Sequence, residues 1–225
     1  MFASMPAQAQ RNDDPGEVRR LRLGLDAHTM TTEGYGEFAC GSNGGAPRQR
    51  LDGWAGFRTC RPEPSGLREV YLRFDDEDEY IGKATDNPHY AERRIGTRVA
   101  GHPVILSVLF DEAGTLRGIR IVTDPRAELP ARRMAHLLRL AIFARYGPAG
   151  WNCTDTPAAG GETPVGGIFV KQRCEKLTAE RHLAVEARFL RKPGQSEIDA
   201  TGDSTQGQFE SWTRFELLDP AHKER

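Results

Sequence analysis

The four cysteines constrain this chain most, because they form two similarly spaced pairs. Cys60 follows Cys40 after 19 intervening residues, and Cys174 follows Cys153 after 20. A Tyr-Gly dipeptide precedes the first cysteine of each pair. Four cysteines allow three connectivities, and the repeated order predicts the pairs Cys40–Cys60 and Cys153–Cys174.

The cysteine spacing also separates structural disulfides from the other uses of cysteine. Zinc sites and redox motifs both require close pairs such as C-x-x-C, which the sequence lacks. Each predicted disulfide closes a loop of about twenty residues, and loop-closure entropy alone gives it on the order of 3 kcal/mol. Disulfides persist in oxidising compartments, so they favour an exported protein.

The sequence similarity between the two cysteine regions extends to a following strand. Val70–Phe74 and Val185–Phe189 both have a Val-x-x-Arg-Phe pattern, 115 residues apart. We interpret the chain as two homologous halves. The predicted fold class is α+β, with each half a helix plus a disulfide-bounded loop packed on an antiparallel sheet. The predicted boundaries are a disordered N-terminus or signal-peptide remnant at 1–17, repeats at 18–125 and 126–219, and a tail at 220–225.

Periodicity and turn residues place the secondary structure. A short helix is expected from Asp26, as N-cap, to Thr32, and a longer helix is expected from Pro130 to Tyr146. Alternating or continuous apolar stretches predict strands. These are 69–74, 103–110, 118–122, 168–172, 182–190 and 208–218.

Two aromatic positions are expected in the core and one on the surface. Trp54 and Trp151 lie near cysteines, so core packing is the expectation for both. Trp212 and Arg214 alternate with the apolar residues of the last strand and should point outward. Since Trp and Arg are enriched in binding hot spots, this pair is a possible contact for a protein partner.

Charge and hydropathy limit the kinds of partner. The net charge is -1, which argues against nucleic acid as a partner, and no apolar run is long enough for a transmembrane segment. Ala7-Gln8-Ala9 has the small-x-small form of a signal-peptidase site, but no basic and apolar signal regions precede it. We expect those regions upstream of Met1. The arginine-rich composition suggests a bacterium, so the expected location is the periplasm.

The order of these elements resembles the β-lactamase-inhibitor-protein fold and the related single-unit lipoproteins of outer-membrane assembly. The resemblance covers the helix, the cysteine pairs and the antiparallel strands from about residue 18 to 219. Leu23-Gly24-Leu25-Asp26 is loosely similar to the segment that begins such units. The resemblance implies a non-catalytic protein whose sheet face or loops bind another protein.

The acidic run from Asp75 to Glu79 is the most conspicuous charged cluster. Asp75, Asp76 and Asp78 could ligate a hard cation such as calcium, although Ile81 stands where an EF-hand loop requires glycine. The alternative is a solvated turn. No serine-nucleophile motif or phosphate-binding loop is present, so no catalytic residue and no cofactor are predicted.

These observations predict an exported protein that binds a protein partner in the cell envelope, in an accessory, assembly or inhibitor role. The alternative is a periplasmic ligand- or metal-binding protein that uses a cleft between the halves and the acidic run 75–79. A hydrolase is a third candidate, without an identified catalytic set.

Overall fold

The computed structural model describes residues 18–74, 97–195, 201 and 208–222. These residues contain one antiparallel sheet of nine strands. The strands are β1 (Tyr35–Cys40), β2 (Arg68–Phe74), β3 (Thr97–Val99), β4 (His102–Phe110), β5 (Leu116–Thr123), β6 (Asn152–Asp155), β7 (Val170–Leu177), β8 (His182–Leu190) and β9 (Glu210–Leu218). Their order across the sheet is β1-β2-β4-β5-β9-β8-β7-β6, and β3 pairs with β4 beside β2.

The central strands form because β-branched and aromatic residues dominate them. Val104, Leu106, Val108 and Phe110 of β4 lie on one face and are at most 2 % exposed. The predicted strands 69–74, 103–110, 118–122, 182–190 and 208–218 all correspond to observed strands within two residues. The strand predicted at 168–172 is observed as β7, which begins at Val170 and extends to Leu177.

One helical segment packs against the face of the sheet that carries these apolar residues. It consists of α1 (Leu129–Met134), a 3-10 turn at Ala135–Leu137, and α2 (Leu138–Tyr146). Leu138 and Ile142 are buried in the core, as the helical spacing predicts, whereas Met134 is 50 % exposed. The 3-10 turn has about three residues per turn, so it shifts residues before it out of phase with the buried stripe.

The predicted α+β fold of two similar halves, each with its own helix, is wrong. Of the residues that the structure describes, 42 % are in strands and 16 % are helical, with one helix of 18 residues among them. Strands from residues 18–125 and from 126–219 belong to a single sheet, because β5 pairs with β9. The pairing of β5 with β9 therefore makes the strands of both segments one continuous sheet.

The short helix expected after Asp26 is a turn. The Asp26 carboxylate accepts a hydrogen bond from the His28 amide at 2.8 Å, and its carbonyl accepts one from the Met30 amide at 3.0 Å. Met30 is followed by Thr31 and Thr32, which are poor helix formers, and Gly34 has a φ of 79°. The N-cap geometry is thus present, but nothing propagates the helix beyond one turn.

Candidate functional site

Both predicted disulfides are confirmed, and they hold different kinds of structure. Cys40, at the end of β1, is bonded to Cys60, which directly follows a 3-10 turn. Cys153 and Cys174 lie directly opposite each other on the neighbouring strands β6 and β7. The first bond anchors a loop beside the sheet, whereas the second links two strands near the sheet's edge.

The side chains of the last strand, β9, alternate between the core face of the sheet and the opposite, outward face. Thr213, Phe215 and Leu217 are buried towards the helix, and the Thr213 hydroxyl donates a hydrogen bond to the Ala135 carbonyl at 2.9 Å. Trp212, Arg214 and Glu216 alternate with them and are only partly buried. The predicted outward orientation of Trp212 and Arg214 is therefore observed.

The outward side chains of β7, β8 and β9 form a polar surface that we call the open face. They are Lys171, Arg173, Glu175, Ala184, Glu186, Arg188, Trp212, Arg214 and Glu216. Antiparallel sheets commonly keep one face in solvent, so this exposure alone does not identify a binding site. The specific feature is an aromatic ring held among ordered arginines.

Trp212 lies at the centre of this ordered group. Arg188 is its partner across β8 and β9, and the guanidinium carbon lies 5.1 Å from the centre of the indole ring. Glu186 accepts a hydrogen bond from Arg188 at 3.2 Å, and a carboxylate oxygen of Glu210 lies 3.9 Å away from its guanidinium. The cation–π contact and the two acids together restrict Arg188 over the ring.

Arg214 is fixed by a loop from the first cysteine region. Its guanidinium donates to the Asn43 carbonyl at 2.9 Å and to the Asn43 side-chain oxygen at 2.5 Å. It also donates to Glu216 at 2.6 Å. Gly44 lies so close to Val122 that a Cβ there would be 2.4 Å from a Val122 methyl carbon. The loop 41–47 therefore packs on the sheet beside the open face.

A buried ion-pair network continues from Glu216 into the protein. Arg120, which is 2 % exposed, donates to Glu216 at 2.6 Å and to both carboxylate oxygens of Glu63 at 2.6 and 3.0 Å. A Glu69 oxygen lies 3.0 Å from the same guanidinium. Glu69 in turn accepts a hydrogen bond from the Asn43 amide at 2.5 Å. One buried arginine therefore connects the sheet to the loop that carries Glu63 and, through Glu69, to the loop 41–47.

The charges of this network shift the pKa values of Glu216 and Arg120. Burial by itself would raise the pKa of Glu216, but the positive charges of Arg120 and Arg214 outweigh it and hold that pKa below the usual range. Burial disfavours the charged form of Arg120, yet its hydrogen bonds to Glu63 and the neighbouring carboxylates raise its pKa. Arg120 and Glu216 therefore both hold their charges at neutral pH.

A cavity of about 480 Å³ lies where residues of the segments 18–125 and 126–219 meet. Four arginines line it: Arg19, Arg20, Arg98 and Arg145. Among the described residues, no group of three or more His, Cys, Asp or Glu side chains could hold a metal ion.

The acidic run and the other two tryptophans complete the set of residues that the sequence singled out. Asp75, Asp76 and Asp78, the possible cation ligands, lie outside the described residues. Trp54 is 2 % exposed in the core, and Trp151 packs beside Phe143 with ring centres 4.9 Å apart, as expected.

Sequence reasoning missed the Arg120 network and the four cavity arginines. Arg120 could have been noticed because it is a charged residue between two isoleucines in a predicted strand. If its face of the sheet is covered, such a charged side chain requires partners of opposite charge inside the protein. The sequence offers no comparable signal for the cavity, because its arginines are scattered along the chain.

No helix in the part of the chain that the structure describes is long and apolar enough to cross a membrane. No protein family, curated protein or solved structure matches the chain.

Proposed function

We propose that this is an exported, non-catalytic protein that binds a protein partner in the bacterial cell envelope through the open face. In this complex the protein itself acts as an accessory, assembly or inhibitor protein. The observation that carries the proposal is the ordered Trp212–Arg188 pair, flanked by Arg214, on a solvent-facing sheet surface. Two disulfides are consistent with an oxidising compartment.

The side-chain types at the centre of the open face support protein binding. Truncation of Trp and Arg most often produces large losses of affinity in protein interfaces. Arg188 and Arg214 are each held by acids or by Asn43, so little rotamer freedom remains to be lost on binding. A partner that buries the exposed edge of Trp212 gains apolar contact without a large ordering cost.

The size of the open face indicates that loops must contribute to the interface. Three strands of eight or nine residues cover an area of roughly 400 Å², from about 3.4 Å per residue and about 4.8 Å between strands. A standard interface buries about 800 Å² on each partner. The flanking loops 41–47 and 156–169, one within each disulfide ring, are the segments next to the face that can supply the remainder.

The test compares capture of a partner by matched variants of the full, oxidised chain. Envelope extract of the source bacterium is passed over immobilised wild type, Trp212→Ala and Leu140→Ala. Leu140 is the control, because it is 50 % exposed but belongs to α2 on the opposite side of the sheet. We expect one protein to be captured by wild type and Leu140→Ala, and about tenfold less by Trp212→Ala.

Thermal unfolding of each variant establishes that the loss does not reflect misfolding. Arg188→Gln provides a second test, because it removes the charge above the ring and retains most of the side chain. Equal capture by Trp212→Ala, or no specific capture by the wild type, contradicts the proposal. Calorimetry with the purified partner should then reproduce the ranking of the variants.

A further inference from the structure

We infer that this chain forms a symmetric dimer in which the edge strand β6 pairs with β6 of a second copy. The two sheets then join into one continuous sheet across the dimer. The inference does not depend on the proposed function. The open face consists of side chains that project from the sheet, whereas a strand added at β6 lies in the plane of the sheet.

The β1 edge of the sheet is protected against pairing with another chain. The segment 48–51 supplies hydrogen-bond partners along β1. The Cys40 amide donates to the Gln49 carbonyl at 2.7 Å, and the Leu51 amide donates to the Phe38 carbonyl at 2.8 Å. A β-bulge also interrupts the pairing of β1 with β2. A covering loop and a bulge are both common means of blocking a sheet edge.

The β6 edge is open by comparison. Every residue of β6 (Asn152–Asp155) is exposed. Its pairing with β7 continues at Thr156, whose amide donates to the Lys171 carbonyl at 2.7 Å. Because backbone groups alternate along an antiparallel strand, the even-numbered residues direct theirs towards β7, whereas Cys153 and Asp155 direct theirs away. Among the described residues, no strand lies beside these outward amide and carbonyl groups.

The chain around β6 has little of the charge that usually keeps sheet edges apart. Residues 147–161 contain a single charged side chain, Asp155, whereas 28 % of the whole chain is charged. The Gln172 side chain donates a hydrogen bond to the Asp155 carboxylate at 2.9 Å, and Arg139 of α2 attracts the same carboxylate electrostatically. Natural sheets often protect an edge with lysine or another charged side chain. The one charge at this edge is already engaged within its own chain.

The sequence of β6 is complementary to a second copy of itself. A two-fold axis at Thr154 places Cys153 of one copy opposite Asp155 of the other in an antiparallel pair. Both residues direct their backbone groups outward, so each such pair forms two backbone hydrogen bonds. The two Thr154 side chains then lie opposite each other, which is a favourable cross-strand pair, and the two Asp155 carboxylates do not. A two-fold axis is also the commonest symmetry of homo-oligomers.

The length of the added ladder indicates a weak dimer. Pro157 has no amide hydrogen and occupies the next outward position, so the ladder ends at Asp155. Contact is then limited to β6 and the uncharged residues beside it within 147–161. A standard interface uses roughly 20–30 residues on each side, which is more than this segment contains. We therefore expect a dissociation constant on the order of 10–100 µM.

Sedimentation equilibrium of the full, oxidised chain between about 5 and about 500 µM measures the dimer directly. The mass of the wild type should rise from 25.0 kDa towards twice that value across this range. Asp155→Pro removes an outward amide and leaves the hydrogen bonds of the even-numbered residues to β7 in place, so it should remain monomeric. Asp155→Asn is the matched control, because it retains the amide and should dimerise like the wild type.

A charge swap at Thr154 tests the register of the pairing. Thr154→Lys places like charges opposite each other across the two-fold axis, so it should raise the dissociation constant about fivefold or more, and Thr154→Glu should do the same. An equimolar mixture of the two variants should dimerise at least as tightly as the wild type, since opposite charges then face each other. Ala113→Lys is the control for net charge and should have no effect. Ala113 is exposed in the turn between β4 and β5, and β9, β8 and β7 separate β5 from β6.

Two outcomes overturn the inference. One is a wild type that keeps a mass of 25.0 kDa up to about 500 µM. The other is a dimer that the Thr154 variants leave unchanged, because another surface must then hold it together. Thermal unfolding without reductant shows whether each variant is folded. If Asp155→Pro does not fold, the charge swap decides, since it changes only an exposed side chain.

Discussion

Arg120 and Glu216 face each other across the junction between β5 and β9, with 2.6 Å between the Arg120 Nε and a Glu216 carboxylate oxygen. The same carboxylate oxygen accepts a hydrogen bond from Arg214 at 2.6 Å. One acid therefore joins the buried network to the open face. Because β5 and β9 come from different halves of the sequence, this contact also stabilises the pairing that makes the sheet continuous.

Removing the positive charge of Arg120 should strongly destabilise the protein. Arg120→Met leaves Glu63, Glu69 and Glu216 without their shared cation, and loss of one partner of a buried pair costs about 3–5 kcal/mol. Urea unfolding at pH 7 measures this loss of unfolding free energy.

Arg117→Met is the matched control for that experiment. Arg117 is on the same strand and also contacts two acids, Asp111 and Asp219, but its side chain is 32 % exposed. Partly exposed ion pairs contribute about 1 kcal/mol or less. If Arg120→Met lost no more unfolding free energy than Arg117→Met, burial would not increase the contribution of these ion pairs to stability.

The low pKa of Glu216 predicts a pH-dependent difference between wild type and Glu216→Gln. Burial opposes the ionised form, but Arg120 and Arg214 favour it more strongly, so the folded-state pKa lies below the ordinary Glu value of about 4.3. Wild type should be more stable than the variant near pH 7. The difference should shrink as the pH falls below about 4.3 and through the folded-state pKa. Urea midpoints between pH 3 and pH 7 test this, and a constant difference across that range contradicts it.

The two disulfides should contribute unequally. Their sequence separations are 20 and 21 residues, so loop-closure entropy gives each about 3 kcal/mol. Cys40 and Cys60 are both buried in the core, whereas Cys153 is exposed. Cys40→Ala/Cys60→Ala should therefore destabilise more than Cys153→Ala/Cys174→Ala, because it loses core packing at both positions, whereas only Cys174 of the second pair is buried.

Denaturant unfolding of the two double variants, without reductant, measures this difference. Intact mass after alkylation supplies the check on the native protein, which should accept four alkyl groups only after reduction. Alkylation of the unreduced, denatured protein would contradict both disulfides.

Gly44 and Gly24 form a matched pair for testing how closely the loop 41–47 packs on the sheet. Both have positive φ, 80° and 87°, so an alanine at either position costs about 1–2 kcal/mol of backbone strain. A Cβ at Gly44 would also lie 2.4 Å from Val122, whereas nothing lies within 4 Å at Gly24. Gly44→Ala should thus be clearly less stable in thermal unfolding. Equal losses would mean that the loop moves aside without cost.

Local patterns in the sequence predicted several features of the structure directly. The order and spacing of the cysteines predicted both disulfides, because a disulfide leaves a sequence signal at both of its ends. Period-two alternation located β4 and β9 and oriented Trp212 outward. The edge strands β1 and β6 were missed, because they are short and their residues are largely polar or small.

What the sequence by itself determined is therefore local: where strands run, which face of each is apolar, and which cysteines pair. Tertiary structure decided that β5 joins β9 in one sheet, that Arg120 meets Glu63 and Glu216 from 57 and 96 residues away, and that four scattered arginines line one open cavity. Alternation and capping arise from neighbouring residues, whereas the partner of a buried charge is set by long-range strand pairing, which leaves no periodic trace in the sequence.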